Sequence, residues 1–273
     1  MSVNLKKSKA GEYDASENGE EGIAPQQKPF HEEKSESGES DDGESLQSEE
    51  KLDSPNVFRK FHFADESGSL DVTIPEVLHP SYGMYTWPGA VVLAQYIWHN
   101  RDDFYGKKVL EIGAGTALPG IVAAKCGACV TLSDNELTPK ILKNCARSCE
   151  ENQVSDRVKV IPLLWGLVTQ SLLQIEPVDF IIGSDCFFDP KVFEDILMTV
   201  SFILEKSSAA EFLSVYQIRS ADWNIRASLR QWQLQCKSVP LKDFGADANS
   251  LADSDLPGNH SFEFLRINTI RNR

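Results

Sequence analysis

Residues 109–116 read VLEIGAGT: Val109, Leu110, Glu111, Ile112, Gly113, Ala114, Gly115 and Thr116. An apolar run ending in an acid and two glycines one residue apart predicts a strand feeding a tight turn beneath a nucleotide-like ligand. A phosphate-bearing dinucleotide and a methyl donor can both use such a turn. The rest of the chain has to choose between them.

Around this stretch, strands alternate with helices. Strands are expected at 107–113, 129–134, 158–165, 179–185 and 211–218, with helices at 118–128, 137–153, 190–206 and 221–235 between or after them. That alternation implies a mostly parallel, doubly wound sheet covered on both faces. The late strands 237–241 and 261–270 have no long helix between them, which implies an antiparallel edge. Ahead of the core, 58–64 and 69–78 alternate like a hairpin turning at Ser67 and Gly68, and 87–101 has helical spacing with Pro88 near its start. The acidic stretch 242–260 is long for a loop, and loops of that length are often functional.

Charge divides the chain. Residues 1–55 hold 15 acidic against 6 basic side chains and little clustered apolar surface, so they are expected to form a disordered acidic tail. Residues 56–273 hold 26 acids and 21 bases and are expected to form the folded domain. This balance argues against a DNA-binding groove, which needs a dense basic stripe, and suits a basic protein partner. The tail reads as a solubilising spacer or a partner-binding segment.

No apolar window approaches the roughly 18 residues of a membrane span. Lys6, Lys7 and Lys9 have no apolar stretch behind them, so no secretory signal is expected. Cys126, Cys129, Cys145, Cys149, Cys186 and Cys236 read as small buried thiols rather than zinc ligands, and no metal is expected. His62, His99 and His260 do not cluster, and none is assigned a catalytic part. Residence in both nucleus and cytoplasm is expected.

Three features select the ligand. Gly113 and Gly115 let the backbone approach it, and Asp134, about 20 residues on, can accept hydrogen bonds from ribose hydroxyls; both fit a dinucleotide equally well. The third glycine of a dinucleotide fingerprint is missing, however, because Leu118 stands there. Glu111 places a carboxylate where a phosphate would be repelled but an ammonium group or a bound water can be held. S-adenosylmethionine, with a zwitterionic amino-acid end and an adenosine end, satisfies all three. Trp165 can lie on its adenine, and Trp87 can close its methionine side.

The stretches TWPGAVVLA (86–94), LEIGAGTALPGIVAAKCGA (110–128), TLSD (131–134), LLW (163–165), SDCFFDP (184–190) and YQIRSADW (216–223) together resemble the seven-strand class I methyltransferases of methyltransferase family 16. The resemblance covers about residues 70–270. It implies cofactor contacts at Trp87, the Gly113–Ala114–Gly115 turn, Asp134, Trp165 and Ser184, beside Glu111 from the reading above. The family's acid-x-x-aromatic motif falls on Asp185, Cys186, Phe187 and Phe188, which implies catalytic parts for Asp185 and Phe188. Many members carry tyrosine where Phe188 keeps only the ring. The family mainly methylates proteins, and the resemblance implies a lysine or a histone arginine as acceptor.

On this reading Asp185 faces the incoming cationic side chain and helps carry away its proton, while Phe187 and Phe188 wall the channel. Tyr216 and Arg219 fall on the same side of the sheet. The alternatives are a small-molecule or RNA methyltransferase, with the 242–260 loop shaping the pocket, and a non-catalytic cofactor-binding protein that acts through its tail as a chaperone or nuclear partner module.

Overall fold

The computed structural model describes residues 57–77, 82–220, 223, 225–258 and 261–270; the expected acidic tail lies outside them. Strands β1 (Val57–Asp65) and β2 (Gly68–Glu76) form an antiparallel hairpin in which Asp65 faces Gly68. Its turn is therefore Glu66–Ser67, one residue before the expected position. Phe61, Phe63, Val72 and Ile74 alternate along the hairpin and are buried, as the two-residue period of a half-covered strand requires.

Helix α1 (Pro88–His99) starts on proline, whose missing N–H costs nothing in a first turn, and is buried along most of its length. The short α2 (Arg101–Phe104) leads into β3 (Lys108–Ile112). Then come α3 (Leu118–Lys125), β4 (Cys129–Asp134), α4 (Pro139–Glu151), β5 (Val158–Pro162) and α5 (Gln170–Gln174). They are followed by β6 (Phe180–Ser184), α6 (Phe193–Lys206), β7 (Glu211–Gln217) and α7 (Ile225–Gln231). The short α5 has no counterpart in the sequence reading.

The main sheet has the order β5-β4-β3-β6-β7-β11-β8, where β8 is Leu234–Ser238 and β11 is Phe262–Thr269. Strands β3 to β7 are parallel, and β11 enters antiparallel to both of its neighbours. The order reverses at β3: β4 and β5 lie on one side of it, β6 and β7 on the other. A ligand crevice belongs beyond the carboxyl ends of the strands at such a reversal. Val109, Val130, Leu132, Ile182 and Leu213 fill one face of the sheet together with α1 and α3; Leu110, Ile112, Ile181 and Phe212 fill the other with α6.

Two expectations are corrected here. The helix expected over 221–235 ends at Gln231, because Gln233 takes a left-handed φ of 56° and Leu234 already pairs with Thr269 on β11. Ladder pairing at the sheet edge overrides the weak helical preference of these residues. The long 242–260 segment is not an open loop either. It holds a 3-10 turn at Leu241–Phe244 and a small pair of strands, β9 (Ser250–Leu251) and β10 (Ser254–Pro257). Phe244 and Leu251 are buried, Phe244 meets Tyr96 of α1 edge to face at 5.3 Å, and the His62 N–H donates to Ala252 O at 3.0 Å. The segment therefore covers core beside α1 and β1.

All six cysteines are free thiols. Cys145, Cys149 and Cys186 are buried as expected, but Cys126 and Cys236 are half-buried, and Cys129, which opens β4 at the amino edge of the sheet, is exposed. No helix among the described residues is long and apolar enough to cross a membrane.

Candidate active site

The turn after β3 lies at the reversal, and its backbone is left-handed at three points: Gly113 (φ 60°), Gly115 (φ 55°) and Ala117 (φ 67°). The Gly115 N–H donates to Asp134 Oδ2 at 2.8 Å, and the Ala114 N–H to Ser133 O at 3.0 Å, so the turn is tied to the end of β4. Asp134 Oδ1 accepts from its neighbour Asn135 at 2.7 Å. Burial pushes the Asp134 carboxyl above its ordinary range, against the two amides that stabilise its charge. A Cβ on Gly113 would stand 2.8 Å from the Trp165 ring, so the indole lies directly against the turn. Four of the expected cofactor residues, Gly113, Ala114, Gly115 and Asp134, thus form one cradle with Trp165 against it. Ser184 is half-buried at the carboxyl end of the adjacent β6.

Glu111, expected to hold an ammonium group or a bound water, lies beneath the turn. It is fully buried and its Oε2 accepts the Gly120 N–H of α3 at 2.9 Å. Burial raises its carboxyl well above the ordinary 4.5, with the Gly120 amide acting in the opposite direction. A Cβ on Gly120 would stand 2.3 Å from Leu132 and 2.4 Å from Glu111 Oε2. Gly120 therefore permits the close helix–strand packing that a third glycine provides, two residues later than a dinucleotide fingerprint places it.

Asp185 follows β6 in a left-handed conformation (φ 51°) and is buried. Its carboxylate does not stand open to an incoming side chain: Oδ2 accepts the Gly89 N–H at 2.8 Å, and Oδ1 accepts the Gln217 N–H at 2.9 Å. It joins the first turn of α1, just after Trp87, to the end of β7. Phe187 is not a channel wall; it is fully buried against Phe193 and Tyr216, with ring centroids 5.2 and 5.8 Å away. Phe188 is the exposed member of the pair, with 45% of its surface accessible. Tyr216 is turned into the core and its hydroxyl donates to Glu263, which also accepts from Arg226. Arg219 is exposed, its guanidinium lying over the Trp87 ring at 5.5 Å.

Several supports of the turn went unread in the sequence. The Thr86 and Thr116 hydroxyls hydrogen-bond at 2.9 Å. From α4, Cys145 Sγ donates to Gly115 O at 3.2 Å and Ser148 Oγ donates to Thr116 O at 3.0 Å. Cys145 and Ser148 are three residues apart, and small polar residues at that spacing on a helix face are a usable signal.

A family model described as lysine methyltransferase, that of methyltransferase family 16, matches residues 66–226. The chain belongs to this family. The histone-arginine methyltransferase METTL23 of Xenopus laevis is 54% identical over 202 residues, covering 74% of this chain and 86% of the relative. The Homo sapiens protein of the same name is 48% identical, covering 67% and 96%. A solved SAM-dependent methyltransferase from Agrobacterium tumefaciens superposes with a TM-score of 0.50 at 13% identity, over 79% of this chain and 71% of that one, and shows the shared fold.

The protein is an S-adenosylmethionine-dependent methyltransferase. Its own residues fit that cofactor: a cradle with no room for a Cβ at Gly113, an acid at the end of β4 tied to that turn, and an indole against Gly113. The buried Glu111 Oε1 adds a polar atom with no protein partner beneath the turn.

Proposed function

We propose that this enzyme methylates a side-chain nitrogen of arginine in a basic protein such as a histone. The observation that carries the reading is the 54% and 48% identity to proteins named histone-arginine methyltransferase over 86% and 96% of their lengths. A Xenopus tropicalis relative named protein N-lysine methyltransferase METTL21A is 35% identical over 55% of its length. The mild acidity of the folded part favours a cationic protein acceptor over RNA.

In this reading Trp87, Gly113, Ala114, Gly115, Asp134, Trp165 and Ser184 hold the cofactor, and Glu111 braces the turn from below. Bound S-adenosylmethionine supplies a methyl group made electrophilic by the positive sulfur. The chain contributes alignment of the acceptor nitrogen with that methyl group. Asp185 is a positioning residue that ties Gly89 in the first turn of α1 to Gln217 at the end of β7. Phe188 gives the acceptor an apolar wall from the loop after β6. A histone acceptor goes with residence in the nucleus as well as the cytoplasm, and the acidic tail is suited to a basic nuclear partner.

Radiolabelled S-adenosylmethionine incubated with the enzyme and nuclear extract tests the acceptor class. Labelled protein bands support the proposal. Label confined to RNA or to small molecules would contradict it, and tight cofactor binding without any label would point to a non-catalytic binding protein.

A further inference from the structure

Glu76, the last residue of β2, is a buried carboxylate, 1% exposed. Its Oε1 accepts the Thr86 N–H at 3.0 Å, and its carboxylate lies 3.3 Å from Arg59 Nε. The Arg59 guanidinium in turn lies 5.7 Å from the centroid of the Tyr85 ring. A carboxylate taken out of water is costly unless it is both paired and hydrogen-bonded, and Glu76 is both. These bonds fix the short segment between the hairpin and α1, which is also held where the Val77 N–H donates to Met84 O at 3.0 Å.

That segment lies against the glycine turn. A Cβ on Gly115 would stand 3.3 Å from Gly83 O. The hydroxyls of Thr86 and Thr116, both buried, meet at 2.9 Å, and Thr116 directly follows Gly115. Two bonds therefore lead from Glu76 to the turn, one from its carboxylate to the Thr86 amide and one from the Thr86 hydroxyl to that of Thr116. A methyl group in place of either hydroxyl would need roughly 3.5 Å or more between heavy atoms, so the closeness of the two segments depends on this polar contact.

We propose that Glu76 is a positioning residue for S-adenosylmethionine: through Thr86 and Thr116 it sets the place of the glycine turn, which makes the β1–β2 hairpin part of the cofactor site. The assignment rests on the reading that puts the cofactor at this turn. Thr86 also precedes Trp87, a cofactor contact in that reading, so one carboxylate governs both segments.

Calorimetric titration of the full chain with S-adenosylhomocysteine, below the unfolding temperature of each variant, tests this. Glu76→Ala and Thr116→Val are each expected to bind about three- to tenfold more weakly than the wild type, the worth of one hydrogen bond. Because both interrupt one route, the double variant should bind within about twofold of the weaker single variant. Glu76→Gln keeps an acceptor for the Thr86 amide and should bind like the wild type. Thr86→Val leaves the Glu76 bond in place and should weaken binding as Thr116→Val does; it carries the test if Glu76→Ala does not fold. Wild-type affinity in Glu76→Ala or Thr86→Val, losses that multiply in the double variant, or no recovery with Glu76→Gln would overturn the proposal. Gly113→Ala separates the two levels of the argument. Weakened binding in Gly113→Ala with none in Thr86→Val strikes the role of Glu76 alone, whereas wild-type binding in both moves the cofactor away from the turn and takes the proposal with it.

Discussion

Asp185 Oδ2 accepts the backbone N–H of Gly89 at 2.8 Å across 96 residues of sequence, and the other carboxylate oxygen holds Gln217. One side chain thereby fixes where α1 begins relative to the end of β7. Asp185→Ala is predicted to lower stability by about 2–4 kcal/mol, since two amides lose a charged acceptor, and to reduce methyl transfer with it. Urea unfolding checks this. A loss under about 0.5 kcal/mol, the range of an ordinary surface substitution, would show that the two bonds do not hold these elements together.

Gly113→Ala meets two obstacles: a left-handed φ of 60° and a Cβ 2.8 Å from the Trp165 ring. The backbone alone costs about 1–2 kcal/mol, and the indole has to leave the turn. Calorimetric titration with S-adenosylhomocysteine is predicted to show affinity reduced by about tenfold or more, the equivalent of about 1.4 kcal/mol. Unchanged affinity would place the cofactor away from this turn.

Asp134→Ala removes both the tie to the Gly115 amide and the acceptor proposed for the ribose. Loss of a charge-assisted acceptor predicts a fall of about 10- to 100-fold in cofactor affinity. Trp165→Ala should cost about five- to tenfold if the indole stacks on the adenine. Equilibrium binding of both variants checks these values, and an Asp134→Ala enzyme that binds normally would remove Asp134 from the cofactor site.

Glu111 gives a pH signature. Its folded carboxyl is raised well above the ordinary 4.5 by burial, so the fold binds a proton that the unfolded chain has released. The contribution of this proton is fully present below about 4.5 and declines as pH rises from there through the folded value. Glu111→Gln keeps an acceptor for the Gly120 amide without a titrating group. Its stability, measured by urea unfolding at a series of pH values, should therefore gain on the wild type as pH rises above 4.5. Wild-type stability rising relative to Glu111→Gln over that range would reverse the assignment.

The parts of this molecule legible in sequence are those written in local patterns. VLEIGAGT, the acid ending β4 and the alternation of strand and helix each depend on neighbours along the chain, and they identify the sheet and the glycine turn at its reversal. The rest depends on partners far away. Asp185 reads as an open carboxylate until Gly89 and Gln217 are seen to claim it. Phe187 and Phe188 read alike, although one is in the core and the other on the surface. The 242–260 segment is polar in composition, but burial of Phe244 and Leu251 beside α1 makes it structure rather than a pocket. Leu234 looks helical until its pairing with β11 is known. Glu111 stands beneath the glycine turn, bound to Gly120, which its place in the sequence does not reveal.

The acceptor atom is the central question, and mass spectrometry of a histone mixture after incubation with the enzyme and deuterated S-adenosylmethionine answers it most directly. The predicted result is a labelled methyl group on arginine, formed more slowly with Gly113→Ala at limiting cofactor. Labelled methyl groups on lysine alone, or on no histone residue, would contradict arginine methylation as the activity of this enzyme.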